Sequence, residues 1–256
     1  MQGSFFKKKF DQYFLKDKNI AKKIVKNLSF QDYNTVVEIG PGLGMLTRYL
    51  FFLCKKIFLI EIDEKLIFFL KKNFSIPKNQ IIHQDFLKWN PEEINLKNFA
   101  LIGNFPYGIS SKILFHILKY NQYIPECIGM FQKELVERIL SHEGGSRYGI
   151  LSVLVQSFYD VKYLFTVQKH VFYPIPNVKS AVISLKRKKL EILCNKDLLF
   201  ICVKMAFNKK RKILKNALQY FKDIPNFYDI PFLNKRAEQL SIKEFLQLTK
   251  EIEIRK

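Results

Sequence analysis

The stretch "NTVVEIGPGLGMLTRYL" (34–50) constrains the fold of this chain more than any other. A β-branched run ends in three alternating glycines, and an amphipathic run follows. Gly40, Gly42 and Gly44 remove side chains where the backbone must turn sharply and where a ligand can approach it closely. A strand that passes through a glycine turn into a helix is one βα unit. The alternation recurs. "KIFLIEI" (56–62), "QIIHQD" (80–85), "FALIG" (99–103) and "ECIGMFQ" (126–132) read as buried strands, with helical patterns at 43–53, 64–74 and 110–120. The reading is an α/β fold with a largely parallel sheet. "YLFTV" (163–167) and "SAVISL" (180–185) complete the sheet, with room for an antiparallel member. Periodicity leaves the strand order open.

From "KRKK" (186–189) onward the pattern changes. Residues 196–218 predict a helix interrupted near Asn208, and 241–252 predict a last helix with Ser241 as N-cap and Glu244 three residues on. The expected division is a large α/β domain at 1–185 and a small all-helical domain at 186–256. Charge marks the second segment as well. Of the formal net charge of +20, the last 71 residues carry 18 basic side chains against 8 acidic ones. A polyanion, nucleic acid or an anionic membrane surface, is the natural partner for such a face.

Charge interrupts every apolar run well before the roughly 20 residues a membrane span needs. "MQGSFFKKKF" lacks the apolar segment of a secretory signal. A cytoplasmic protein is expected, with a monomer as the simpler state. The cysteines at 54, 127, 194 and 202 form no CxxC pair, and the four histidines are scattered, so no metal site is expected.

The glycine loop has ordered companions. Glu61 ends the next strand, 21 residues after Gly40. A carboxylate there accepts hydrogen bonds from two ribose hydroxyls and disfavours a 2′-phosphate. Asp85 ends the third strand, placed to accept from an adenine amine, with Phe86 beside it to pack on the ring. Its alternative role is an N-cap. The loop lacks the Gly-Lys-Ser/Thr ending that grips a triphosphate. The set suits a nucleoside cofactor without phosphate, S-adenosylmethionine rather than ATP. NAD stays open on these residues alone.

"GNFPYG" (103–108) supplies the reacting side. An exocyclic aromatic amine is a poor nucleophile, because its lone pair is delocalised into the ring. Two acceptors on its N–H groups favour a tetrahedral nitrogen. Asn104 offers a side-chain carbonyl and Pro106 a backbone carbonyl, while Tyr107 offers a stacking face. No general base is needed before a methyl is transferred, because the methylated nitrogen is acidic enough to lose its proton afterwards. Phe105 lines the pocket or fills the core. The plain alternative is a proline turn closed by glycine.

These residues together resemble the ribosomal RNA adenine N6-dimethyltransferase family. "VVEIGPGLGMLT", "EIDEKL", "QDFLKW", "GNFPYGISSKIL", "MFQKELVERI", "SRYGILSVLVQSFYDV" and "VFYPIPNVKSAVISL" stand in family order, and "AFNKKRKILKNAL" and "RAEQLSIKEFLQL" resemble its small helical domain. The late motifs favour the small-subunit enzymes over the large-subunit methylases of macrolide resistance. The resemblance implies a Rossmann-like class I S-adenosylmethionine-dependent methyltransferase sheet and the 16S rRNA of the 30S particle as partner, with two adjacent adenines near its 3′ end as target. It implies that Gly40, Glu61, Asp85 and Asn104 hold the cofactor, and that Asn104, Pro106 and Tyr107 form the transfer centre. It adds an N-terminal closing segment, usually Gly-Gln-Asn-Phe-Leu, read here as Asp11-Gln12-Tyr13-Phe14-Leu15, so that Tyr13 and Leu15 join the cofactor contacts. Lys7, Lys8 and Lys9 beside that segment, and Lys209, Lys210, Arg211 and Lys212 in the tail, are the expected phosphate contacts. Two other readings stay open: a non-catalytic RNA-binding assembly factor, and an adenine-N6 methylase of 23S rRNA or DNA.

Overall fold

The computed structural model of the chain describes residues 12–189, 192 and 194–256. Lys7, Lys8, Lys9 and Asp11 lie outside the described residues. The chain divides into two compact units, Met1–Val136 with Asp160–Arg187, and Glu137–Tyr159 with Lys188–Lys256.

The first unit is built on a seven-stranded sheet. Strand β1 (Phe14–Leu15) and helix α1 (Lys18–Val25) precede it. Its first five strands are β2 (Thr35–Ile39), β3 (Lys56–Glu61), β4 (Ile81–His83), β5 (Phe99–Asn104) and β6 (Glu126–Gln132). Helices α2 (Thr47–Leu53), α3 (Glu64–Asn73) and α4 (Ser110–Lys119) alternate with them. Strands β2, β3 and β5 bury nearly every residue on both faces, as parallel strands covered on both sides must. After β6 the chain adds helices α5 (Lys133–Ile139) and α6 (Ile150–Phe158), then β7 (Tyr159–Val167), β8 (Phe172–Tyr173) and β9 (Ser180–Arg187).

The strand order is β4-β3-β2-β5-β6-β9-β7. From β2 the chain runs outward through β3 and β4, then returns to lay β5 on the other side of β2. The direction reverses between β2 and β5, which are parallel neighbours. A crevice at the carboxyl ends of strands forms at such a switch point. Gly40 and Asn104 sit at the carboxyl ends of these two strands. The antiparallel member is β9, paired with β6 from Gln132↔Ser180 to Glu126↔Lys186.

Three local expectations shift. The helix read from 43 begins at Thr47, because Gly40, Gly42 and Gly44 all take positive φ, which bends 40–46 into turns. The third strand is only Ile81–His83, since Asp85 opens a turn by accepting the Leu87 N–H. Strand β7 starts at Tyr159 rather than at 163.

The second unit holds α6, α7 (Lys196–Asn208), α8 (Leu214–Ala217) and α9 (Ile242–Arg255). Ser241 caps α9, its hydroxyl accepting the Glu244 N–H while Glu244 accepts the Ser241 N–H. The boundary expected at 185/186 needs correction, because Glu137–Tyr159 clusters with the second unit. Helix α6, "ILSVLVQSF", is apolar nearly all round and packs on α7 and α9. The Tyr148 hydroxyl also donates to the Leu240 carbonyl at 2.9 Å. Composition marks where basic residues begin, but not which earlier helix completes a core with later ones. The helix read over 196–218 breaks at Asn208, and a turn in which Lys212 N–H donates to the Lys209 carbonyl separates α7 from α8.

Candidate active site

A hollow of about 1130 Å³ opens in the first unit at the carboxyl ends of β2, β3 and β5. Gly40, Glu61, Asn104, Pro106 and Tyr107 line it, as do Tyr13 and Leu15. The parallel register brings them together: Ile39 pairs with Ile60, so Gly40 follows beside Glu61. The Gly40 N–H donates to the Ile60 carbonyl at 2.9 Å, tying the loop to β3.

Glu61 is 2% exposed. Its Oε1 accepts the Ile62 and Asp63 N–H groups at 2.9 and 3.1 Å, and its Oε2 accepts the Gly42 N–H at 3.2 Å. Burial raises its pKa, opposed by those three donors. A carboxylate has about four acceptor positions, so Oε2 keeps one for a hydroxyl of a ligand. Gly40 has φ +61°, and a Cβ there would meet nothing within 4 Å. The loop therefore leaves bare backbone facing open space. A Cβ on Gly42 would lie 3.0 Å from Phe14 Cε1, so the closing segment rests on the loop. Strand β1 is held there by antiparallel pairing with β8, Phe14↔Tyr173 and Leu15↔Phe172.

Asn104 donates its side-chain Nδ2 to the Tyr13 carbonyl at 2.6 Å. The Tyr13 ring lies 5.0 Å from that of Tyr107, tilted by 31°. The Tyr107 hydroxyl shares a 2.6 Å hydrogen bond with Ser180, which fixes the ring beside the hollow. Phe105 turns away, 1% exposed and 4.8 Å from the Phe131 ring, so its side chain fills the core. Gly103 makes room for it: a Cβ there would lie 2.7 Å from Phe105 and 2.8 Å from the Ile39 carbonyl.

The alternation of strands, the hollow at their switch point and the oriented amide together narrow the comparison with known proteins. The family model described as ribosomal RNA adenine dimethylase matches residues 3–253. The chain belongs to that family. It is 47% identical over 249 residues to "Ribosomal RNA small subunit methyltransferase A" of Flavobacterium johnsoniae, covering 96% of this chain and 95% of that one. Among solved structures it is similar to a dimethyladenosine transferase from Plasmodium falciparum, with a TM-score of 0.81, 27% identity, and 94% and 98% of the two chains covered. A 23S rRNA methyltransferase shares the fold at a TM-score of 0.69 and 23% identity, covering 94% of this chain and 99% of its own. The dimethylase-family chain thus has the Rossmann-like class I methyltransferase fold with a small C-terminal helical domain.

Two expected roles in this family member need correction. The Pro106 carbonyl already accepts the Ser110 hydroxyl at 2.9 Å and the Ile109 N–H at 3.3 Å. Both its lone pairs serve the turn into α4. Phe86 cannot face a ligand, because it is 5% exposed, with its ring 4.6 Å from His116 and 6.0 Å from Trp89. Asp85 is half-buried, outside the lining of the hollow, with one oxygen on the Leu87 N–H at 2.9 Å.

Sequence reasoning passed over Glu38. It lines the hollow, is 1% exposed, and accepts the Thr47 hydroxyl at 2.7 Å. Burial pushes its carboxyl up to about 8, with the neighbouring Glu61 charge adding to the shift, so it keeps its proton at neutral pH. The available signal was an acidic residue inside a β-branched run, which has no place in a buried strand without a partner.

In the second unit, Lys209, Lys210, Arg211 and Lys212 cluster around a hollow of about 690 Å³ after α7, with Asn216 and Gln219. Lys210 pairs with Glu238 at 3.3 Å, which leaves it partly neutralised.

Proposed function

We propose that this protein transfers methyl groups from S-adenosylmethionine to the N6 amines of two adjacent adenines near the 3′ end of 16S rRNA within the 30S particle, in the cytoplasm. The single observation that carries the reading is the oriented amide of Asn104 in the hollow shared with Glu61 and Tyr107. The small-subunit name of the similar Flavobacterium protein supports the choice of rRNA.

The lining suits a cofactor without phosphates. Glu61 occupies its interior and opposes a polyphosphate, while its Oε2 keeps a position for a ribose hydroxyl. Gly40 and Gly42 would let the cofactor lie against backbone, with Leu15 and Tyr13 closing over it. Asp85, two residues beyond β4 on the same sheet edge, is the proposed acceptor for its adenine amine. When bound, S-adenosylmethionine supplies an electrophilic methyl group on a sulfonium.

Asn104 has given its N–H to Tyr13, so its Oδ1 accepts one hydrogen of the target amine. The Phe105 carbonyl takes the second, because that of Pro106 is engaged in the turn. Accepting both hydrogens draws the nitrogen towards a tetrahedral shape and frees its lone pair for attack. Tyr107 stacks on the base, a contact worth roughly 1–3 kcal/mol in comparable sites. Positioning and exclusion of water supply most of the rate, and the proton leaves to solvent after transfer. An adenine stacked in a duplex or loop must first be unstacked, at a cost of a few kcal/mol.

The test uses the purified protein, labelled S-adenosylmethionine and under-methylated 30S particles, followed by mapping of the modified nucleotides. N6,N6-dimethyladenosine at two adjacent positions near the 3′ end of 16S rRNA is expected. Label in 23S rRNA or DNA instead would move the substrate. No label, with a known enzyme active on the same particles, would leave the assembly-factor reading.

A further inference from the structure

The lining of the hollow combines two chemistries, one buried and one open to solvent. Its interior holds Glu38 and Glu61, both buried. Its outer limb is lined by Lys16 after β1, Arg48 on α2, and Phe68 and Lys72 on α3. Among the described residues no other acid lines it.

Phe68 and Lys72 are four residues apart on one helix and so share a face. The buried stripe of α3 is Leu66, Ile67 and Leu70, and Phe68 projects from a different face. Phe68 is 71% exposed, so packing of the helix does not account for it. Arg48 makes one long contact, from Nε to the Gly44 carbonyl at 3.5 Å, and Lys16 and Lys72 are exposed. None of the three cations pairs with a carboxylate among the described residues. Three unpaired cations and an exposed ring along one hollow match a phosphodiester backbone and the face of an unstacked base.

We propose that this limb, Lys16, Arg48, Phe68 and Lys72, binds the single-stranded RNA next to the target adenine, by its phosphates and one base face. The inference rests on the RNA methylation reading for its ligand and on the continuity of the limb with the hollow that holds Asn104. Phosphate contacts of this kind set register and carry no base sequence themselves. The limb would therefore hold the strand while Asn104 and Tyr107 select the base.

The test uses the full chain and a short single-stranded oligoribonucleotide, with binding followed by anisotropy across a salt series and S-adenosylmethionine affinity measured separately by calorimetry. The double variant Arg48→Gln, Lys72→Gln is expected to weaken RNA binding about tenfold at low salt, and to reduce the slope of log K against log salt by about 0.7 per lost cation. Phe68→Ser is expected to weaken binding at least fivefold with the slope unchanged. Cofactor affinity stays at the wild-type value in both. All three positions are outside the buried core, and a circular dichroism spectrum checks the fold. An unchanged salt slope in the double variant overturns the proposal. So does a loss of cofactor affinity with RNA binding intact, which would assign the limb to the cofactor. The readout is binding without turnover. A chain that binds RNA through the limb but methylates nothing would refute the methylation reading and uphold the limb.

Discussion

Asn104 and Tyr13 lie 91 residues apart and meet at 2.6 Å, side-chain amide to backbone carbonyl. A carbonyl oxygen only accepts, so the amide must present its NH₂ to Tyr13 and keep Oδ1 for another donor. The contact uses the backbone of Tyr13, which explains how the closing segment tolerates tyrosine where the family pattern has asparagine. The tyrosine ring is used elsewhere, against Tyr107.

Asn104→Ala removes both the oriented acceptor and the tie to Tyr13. Turnover on 30S particles should fall by about 10²–10³, the usual cost of losing a transition-state hydrogen bond. RNA affinity in a filter-binding assay should stay within about twofold, because phosphate contacts carry it. Turnover at the wild-type level would remove Asn104 from the reacting centre.

Gly42 and Gly40 share positive φ but differ in surroundings. Gly42→Ala combines the strain of φ +56° with a Cβ 3.0 Å from Phe14. It should cost about 1–2 kcal/mol and lower Tm by about 2–8 °C, and it should loosen the closing segment. Gly40→Ala carries similar strain but no clash, since its Cβ would enter the open hollow. It should act mainly on cofactor affinity. Calorimetric titration and thermal melts on both variants distinguish the two effects.

Glu38 ties stability to pH. Folding raises its pKa from 4.5 to about 8. The folded state therefore binds this proton more tightly. The contribution to stability is complete below pH 4.5 and is lost as the pH climbs towards 8. Glu38→Gln stays neutral throughout. The unfolding free energy from urea titrations between about pH 5 and 8 should fall less steeply in the variant, by up to about 1.4 kcal/mol per pH unit. Glu61, also shifted upward by burial, leaves a residual slope.

The tail cations are not equivalent. Lys210 is paired with Glu238, whereas Arg211 is exposed without such a partner among the described residues. Arg211→Ala should reduce the salt slope of RNA binding by about 0.7–0.9. Lys210→Ala should reduce it by less, because the ion pair already offsets part of its charge. Equal slopes for the two variants would contradict this ordering.

Much of the fold was legible because each signal was local. The alternation of β-branched runs with amphipathic ones marks successive βα units, and Ser241 with Glu244 marks a helix start through bonds only three residues apart. Gly40, Glu61 and Asn104 could be assigned to one edge because each ends a strand, and parallel strands share an edge. Where a residue's partner lay far along the chain, sequence was silent or misleading. Helix α6 joined a core formed by helices that begin only at Lys196 and Ile242. Phe86 read as a ligand-facing ring until His116 and Trp89 claimed it. The Pro106 carbonyl read as free until Ser110 and Ile109 filled it.

By itself, then, the sequence determined the βα architecture, the glycine loop and the identity of the groups at the hollow, because periodicity and backbone freedom are properties of neighbouring residues. The tertiary structure alone decided which of those groups remain available. It turned the Asn104 amide by giving it the Tyr13 carbonyl, closed off Pro106, and left Glu38 protonated. Hydrogen-bond satisfaction and desolvation are set by whatever surrounds an atom in space, and no window along the chain contains that information.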